Sequence, residues 1–117
     1  MLGLVAAEAA YAEGESWRQA LLGVLRSHRQ VLVERVAGWP GVTLSAPEST
    51  YLAWLDLRQA PALAGSDSPQ QPLLERAGVA LSDGADFGTP GLARLNFGTT
   101  AAQLEAALAR LDKVLKA

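Results

Sequence analysis

A chain of 117 residues with 10 Lys+Arg against 12 Asp+Glu is one small domain with a formal charge of −2. Its sequence pI near 5.3 argues against the clustered basic face that nucleic-acid binding needs. With no cysteine and one histidine, His28, it has no disulfide framework, thiolate metal site, Cys nucleophile or His-rich metal site. Half the residues are apolar (50%) and 19% are charged, so the chain can bury a core. No apolar run approaches the ~20 residues of a membrane-spanning helix. Leu2–Ala10 lacks a basic n-region and is interrupted by Glu8, so no secretory leader is expected and a cytoplasmic location follows.

The chain opens on an Ala-rich helix over Met1–Glu13, with Gly14 placed to end it. A longer helix starts near Glu15 or Ser16. Its apolar stripe is Trp17, Leu21, Leu25, His28, Leu32 and Val36, and Gly38 with Pro40 ends it. At 1.5 Å per residue it runs roughly 30 Å, a length that suits a connector. Strands are expected at Val42–Ala46 and Thr50–Leu57. Gln59–Pro69 has the composition of a loop. A short helix follows, with Ser68 as N-cap, Pro69 at N1, Gln71 completing a capping box and Gly78 as the stop. Val79–Ser82 and Leu92–Phe97 read as two further strands. The last helix begins at Thr100, with Gln103 at N3. It carries Leu104, Leu108, Leu111 and Leu115 on one side and Lys113 and Lys116 in its last turn. The expected class is α+β: a small, mostly antiparallel sheet of three or four strands covered by helices, with a long N-terminal helix.

The strand Leu92–Phe97 carries the most chemistry. Alternation puts Ala93, Leu95 and Phe97 on one face, and Leu92, Arg94 and Asn96 on the other. A guanidinium grips a carboxylate with two parallel hydrogen bonds and stays charged at every working pH. Arg94 is therefore either an anchor for a small carboxylate or a structural ion-pair partner of Asp56, Asp83 or Asp86. The segment Asp83-Gly84-Ala85-Asp86-Phe87-Gly88, followed by Pro90-Gly91, reads as a hairpin connection or as a loop that lets backbone approach a ligand. It lacks the order of a phosphate-binding loop. Ser49-Thr50-Tyr51 has no general base beside it, so no serine nucleophile is expected. His28 lies on an apolar stripe and reads as a packed, hydrogen-bonded histidine. Trp17, Trp39 and Trp54 read as core or interface anchors, and Asp112 with Lys116 as a surface pair of little weight.

Ser49-Thr50-Tyr51-Leu52-Ala53-Trp54-Leu55-Asp56-Leu57, then Asp83-Gly84 and Phe87-Gly88, then Arg94-Leu95-Asn96-Phe97-Gly98 resemble the C-terminal small domain of fold-type I pyridoxal-phosphate (PLP) enzymes. Ala10-Tyr11, followed by Gly14 and Trp17, resembles the cystathionine β-lyase-like C–S lyases of class I/II aminotransferase ancestry. The resemblance runs from about Ala7 to the final helix. It implies that residues 1–117 are one C-terminal small domain in which 1–40 are connecting helices. It also implies that Arg94 binds the substrate α-carboxylate, with Asn96, Tyr51, Asp83 and Gly84 in support.

By the same resemblance, the lysine that bonds covalently to PLP belongs to a large domain. So do the aspartate facing the cofactor's ring nitrogen, the stacking aromatic and the glycine-rich phosphate loop. The only lysines here are Lys113 and Lys116, and neither sits in the family's S-x-[SH]-K setting. The chain by itself is therefore expected to carry no covalently bound PLP, no catalytic residue and no metal, and to be inactive as a separated piece. Its expected partners are an amino-acid substrate, the missing large domain and a second copy in a homodimer, with no nucleic acid and no membrane. Two alternatives stay open: a stand-alone amino-acid-binding module, and an oligomerisation or interaction module without catalysis.

Overall fold

The computed structural model describes residues 1–117. Two helices, α1 (Leu2–Glu13) and α2 (Glu15–Val36), lead into strands β1 (Thr43–Ser45) and β2 (Leu52–Asp56). A 3-10 turn at Pro61–Leu63 precedes α3 (Gln70–Ala77) and β3 (Ser82–Asp83). A second 3-10 turn, Gly84–Phe87, joins β3 to β4 (Leu92–Asn96), and α4 (Ala101–Leu115) closes the chain. The strands form one antiparallel sheet in the order β1-β2-β4-β3. This is the expected α+β architecture with the expected order of helices and strands.

One face of the sheet is sealed. Ala53, Leu55, Ala93 and Leu95 point into a single core with Leu32 and Val36 of α2, Leu73 of α3 and Leu104, Leu108 and Leu111 of α4. Deleting a side chain as large as Leu from such a core costs about 2–5 kcal/mol, so strand alternation is held in one register. The apolar stripe of α2 is fully buried only in its second half, at His28, Leu32 and Val36, with Leu25 packed partly buried against the core. Its first half and all of α1 project beyond the sheet, which gives the molecule a long axis of 51 Å against 27 and 23 Å. Trp17 is accordingly exposed, Trp39 lies in the core and Trp54 is half-buried. His28 is buried as expected, and its Nδ1–H donates to the Phe97 carbonyl at 3.1 Å.

Several local expectations are corrected. Gly14 does not end its helix in the left-handed region; its φ is −83° and its N–H bonds to Ala10 O. It is a tight joint, because a Cβ there would lie 2.4 Å from that same oxygen. Ser68 does not cap α3. Pro69 takes the N-cap position, and the Ser68 hydroxyl donates to the Asp83 carboxylate. A bond to an ionised acceptor is about twice as strong as one to a neutral group, so the carboxylate wins the hydroxyl. The capping box is also unmade on its other side, since Gln71 donates to Glu75. The third strand lies later than Val79–Ser82: only Ser82 and Asp83 reach β4, opposite Arg94 and Ala93. Val79 keeps its place in the core without a ladder partner. β2 begins two residues later than expected, because Thr50 takes a left-handed φ of 67° and turns the chain into the strand.

Asp112 is more than a surface pair with Lys116. Its carboxylate accepts the Trp39 indole N–H at 2.6 Å and an Arg35 N–H at 2.7 Å, besides the Lys116 ammonium at 3.0 Å. These donors fasten the end of α2 and the turn after it to α4. Partial burial pushes this carboxyl upward, and the Trp39, Arg35 and Lys116 hydrogen bonds more than offset that, holding its pKa at about 2. A carboxyl lowered in the folded chain stabilises it above the unfolded pKa and stops doing so as pH falls through the folded one. Thermal or urea unfolding should therefore show Asp112-dependent stability that is intact at neutral pH and is lost between about pH 4 and pH 2. Asp112→Asn should remove this part of the acid dependence, and Asp112→Ala should destabilise by about 1–3 kcal/mol at neutral pH.

Candidate carboxylate site on the open sheet face

The unsealed face of the sheet is built by the same alternation that makes the core. Register places Ser45 opposite Trp54, Trp54 opposite Arg94 and Arg94 opposite Ser82, one row across all four strands. Arg94 is half-buried at the centre of that row. It forms no ion pair with Asp56, Asp83 or Asp86. Asp56 is held instead by Arg58, which donates to both of its oxygens, at 2.9 and 2.6 Å. The guanidinium of Arg94 is steadied by neutral groups. Its central carbon lies 4.3 Å from the centroid of the Phe87 ring, and one N–H reaches towards Ser82 Oγ at 3.4 Å. Phe87 in turn meets Trp54 edge to face, with centroids 5.4 Å apart.

An aromatic face attracts a guanidinium without neutralising it, so the full positive charge remains available. Arg94 is half-buried on this face, and the depressions of about 400 and 420 Å³ elsewhere on the molecule are lined by other residues. Such a group can accept a planar anion from the solvent side with two parallel hydrogen bonds.

The other expected site residues occupy distinct positions around it. Asn96 shares the face of Arg94, but its side-chain oxygen accepts the Gly98 N–H at 2.8 Å. Tyr51 is half-exposed. Its ring covers Gly98, where a Cβ would come within 3.0 Å of it, and its carbonyl accepts the Phe97 N–H. Asn96 and Tyr51 therefore shape the turn after β4. Asp83 and Gly84 shape the turn before it. One Asp83 oxygen accepts the Ser68 hydroxyl and the other the Ala85 N–H, and these bonds hold the carboxyl below the usual range. Gly84 is buried, and a Cβ on it would lie 2.2 Å from Thr89 O and 2.5 Å from Leu92 O. Neither residue touches Arg94; they fix the turn that carries Phe87. Phe87 as the partner of Arg94 is not legible in the sequence, because the turn type decides which way its ring swings and composition carries no signal for that.

The two lysines are on the wrong side of the sheet for this row. Both lie at the end of α4, whose buried leucines pack on the sealed face, and Lys116 is bonded to Asp112. The residues of this chain therefore do not fit covalent attachment of PLP beside Arg94.

The family model for aminotransferase class I and II matches residues 3–111. The chain belongs to the class I and II aminotransferase family. It is 39% identical to the cystathionine beta-lyase of Corynebacterium glutamicum over 98% of its own length and 30% of that enzyme's. It is 35% identical to protein MalY of Escherichia coli K12, covering 100% of this chain and 30% of MalY. The PLP-bound C–S lyase from Staphylococcus hominis superposes with a TM-score of 0.86 at 28% identity, covering 97% of this chain and 31% of that one. The chain thus spans about 30% of the length of the curated relatives it matches. The fold is that of the small domain in these PLP-dependent neighbours.

Since Gly84 has backbone oxygens where a side chain would go, Gly84→Ala must open the turn. It should destabilise the chain by roughly 1–3 kcal/mol, as overpacking does, read as a lower urea midpoint.

Proposed function

We propose that residues 1–117 are the C-terminal small domain of a PLP-dependent cystathionine β-lyase-like C–S lyase or aminotransferase acting on amino acids. Residues 1–40 are its connecting helices, and Arg94 is the residue that receives the substrate α-carboxylate. The observation that carries this reading is a strand guanidinium on the open face with an aromatic partner and no carboxylate partner. A charge-assisted, bidentate bond fixes both the position and the plane of a bound carboxylate, and that orientation is what a small domain contributes to chemistry performed elsewhere. Asn96, Tyr51, Asp83 and Gly84 support the site by holding the turns on either side of β4.

The cofactor-bearing residues belong to a large domain outside these residues, so the chain alone binds no PLP covalently and turns over no substrate. A cytoplasmic homodimer is part of the same proposal. A second reading, an oligomerisation or interaction module, is favoured by one observation. Tyr11, Trp17 and Val24 are exposed large side chains on α1 and the projecting part of α2, 92%, 69% and 47% accessible. Apolar surface of this kind marks a place where another body sits.

A hybrid enzyme tests the two readings together. The segment of the Corynebacterium glutamicum lyase that matches this chain is replaced by the chain, and pyruvate release from a cystathionine-type substrate is followed. The expected result is PLP-dependent turnover by the hybrid and none by the 117 residues alone with added PLP. Arg94→Ala should lower kcat/KM by about a hundredfold, the loss expected for an unpaired charged contact. Arg94→Lys should recover only part of it, because an ammonium cannot make the paired bond. A hybrid that turns over equally well with Arg94→Ala would defeat the carboxylate assignment. A folded hybrid without turnover would favour the interaction module.

A further inference from the structure

Phe87 stands in a turn between two strands, half-exposed, where a phenyl ring gains little from burial. What it does make is a stack on the Arg94 guanidinium at 4.3 Å and an edge contact with the Trp54 ring at 5.4 Å. The turn that holds it is fixed at several points. Asp83 accepts the Ala85 N–H at 2.9 Å and is itself fastened by Ser68. Thr89 donates its N–H and its hydroxyl to Gly84 O, at 2.9 and 3.1 Å. Gly88 closes the turn in the left-handed region at φ 75°, with its N–H on Ala85 O and Gly84 O. Trp54 meets the ring in a T-shaped contact and is fixed by strand register, directly opposite Arg94.

Resting on the carboxylate reading of Arg94, we propose that Phe87 is its positioning residue. The ring, wedged between a tethered turn and Trp54, holds the guanidinium in one plane before any carboxylate arrives. An arginine side chain has many rotamers to lose, and a group already held loses less of that freedom on binding. The stack does this without supplying a negative charge that a carboxylate would have to displace. It also gives Asp83 and Gly84 their part in the site at one remove: they set the turn, the turn sets Phe87, and Phe87 sets Arg94.

The test is nuclear magnetic resonance on the full 117-residue chain, observing the Arg94 Nε–Hε group, with acetate as the carboxylate probe at constant ionic strength. Phe87→Leu and Phe87→Met remove the π face, and Phe87→Tyr keeps it. In the wild-type chain the Arg94 signal should be shifted by the ring and report an ordered side chain. Both properties should vanish in the Leu and Met variants and return in the Tyr variant, while the Arg35 and Arg58 signals stay in place as controls for folding. Acetate should move the wild-type and Tyr signals alike and bind the other two about twofold to fivefold more weakly, the size of an exposed cation–π contact. An Arg94 side chain equally ordered with and without the ring would overturn the positioning role whatever acetate does. A wild-type signal that orders as described yet ignores acetate would count against the carboxylate reading alone.

Discussion

The structure depends on the two-sidedness of one five-residue strand, Leu92–Asn96. Ala93 and Leu95 are almost wholly buried against the helices, and because side chains alternate, Arg94 has to stand on the opposite face. Moving β4 by one residue would bury the guanidinium and expose the leucine. A buried, unpaired charge costs several kcal/mol, so the register is protected from both sides. The packing of the helices thus decides where the charge is presented.

The frame around that strand is locked by polar contacts between distant parts of the chain. Trp39 and Arg35 meet Asp112 across more than seventy residues, fastening the end of α2 to α4 behind the sheet. Ser68 meets Asp83 in front, where the 3-10 turn begins. The first bond holds the sealed face together, and the second fixes the turn over the open face. No buried side-chain polar atom is left without a partner, so this frame carries little unsatisfied polar strain. The exception to regular geometry is Thr50, whose left-handed backbone directs Tyr51 towards the turn after β4. A β-branched residue there costs about 1–3 kcal/mol, and Thr50 carries that strain in an exposed turn outside the core.

Local signals in the sequence are sufficient where local forces decide. Thr100 caps α4 through the Gln103 N–H, and the Leu104, Leu108, Leu111 stripe faces the core as its spacing requires. The alternation of β4 placed Arg94 on the open face. Local signals are insufficient where a contact from far along the chain outcompetes a local one. Ser68 left its helix for a carboxylate 15 residues away. The Asp112–Lys116 pair was visible at its spacing of four, while the Trp39 and Arg35 donors that give Asp112 its weight were not. The Arg94–Phe87 stack lay in a gap between both kinds of signal. The family motifs, by contrast, lie in β2, the turn before β4 and β4 itself, and the family match covers residues 3–111.

A chemical cycle in the hybrid lyase measures the bond between the Arg94 guanidinium and the substrate carboxylate most directly. Turnover of the amino-acid substrate is compared with turnover of its carboxamide, in the Arg94 enzyme and in Arg94→Ala. If Arg94 receives the carboxylate, the parent enzyme should prefer the acid over the amide by about tenfold to a hundredfold, and the variant should lose most of that preference. An undiminished preference in Arg94→Ala would show that the carboxylate is held by some other residue.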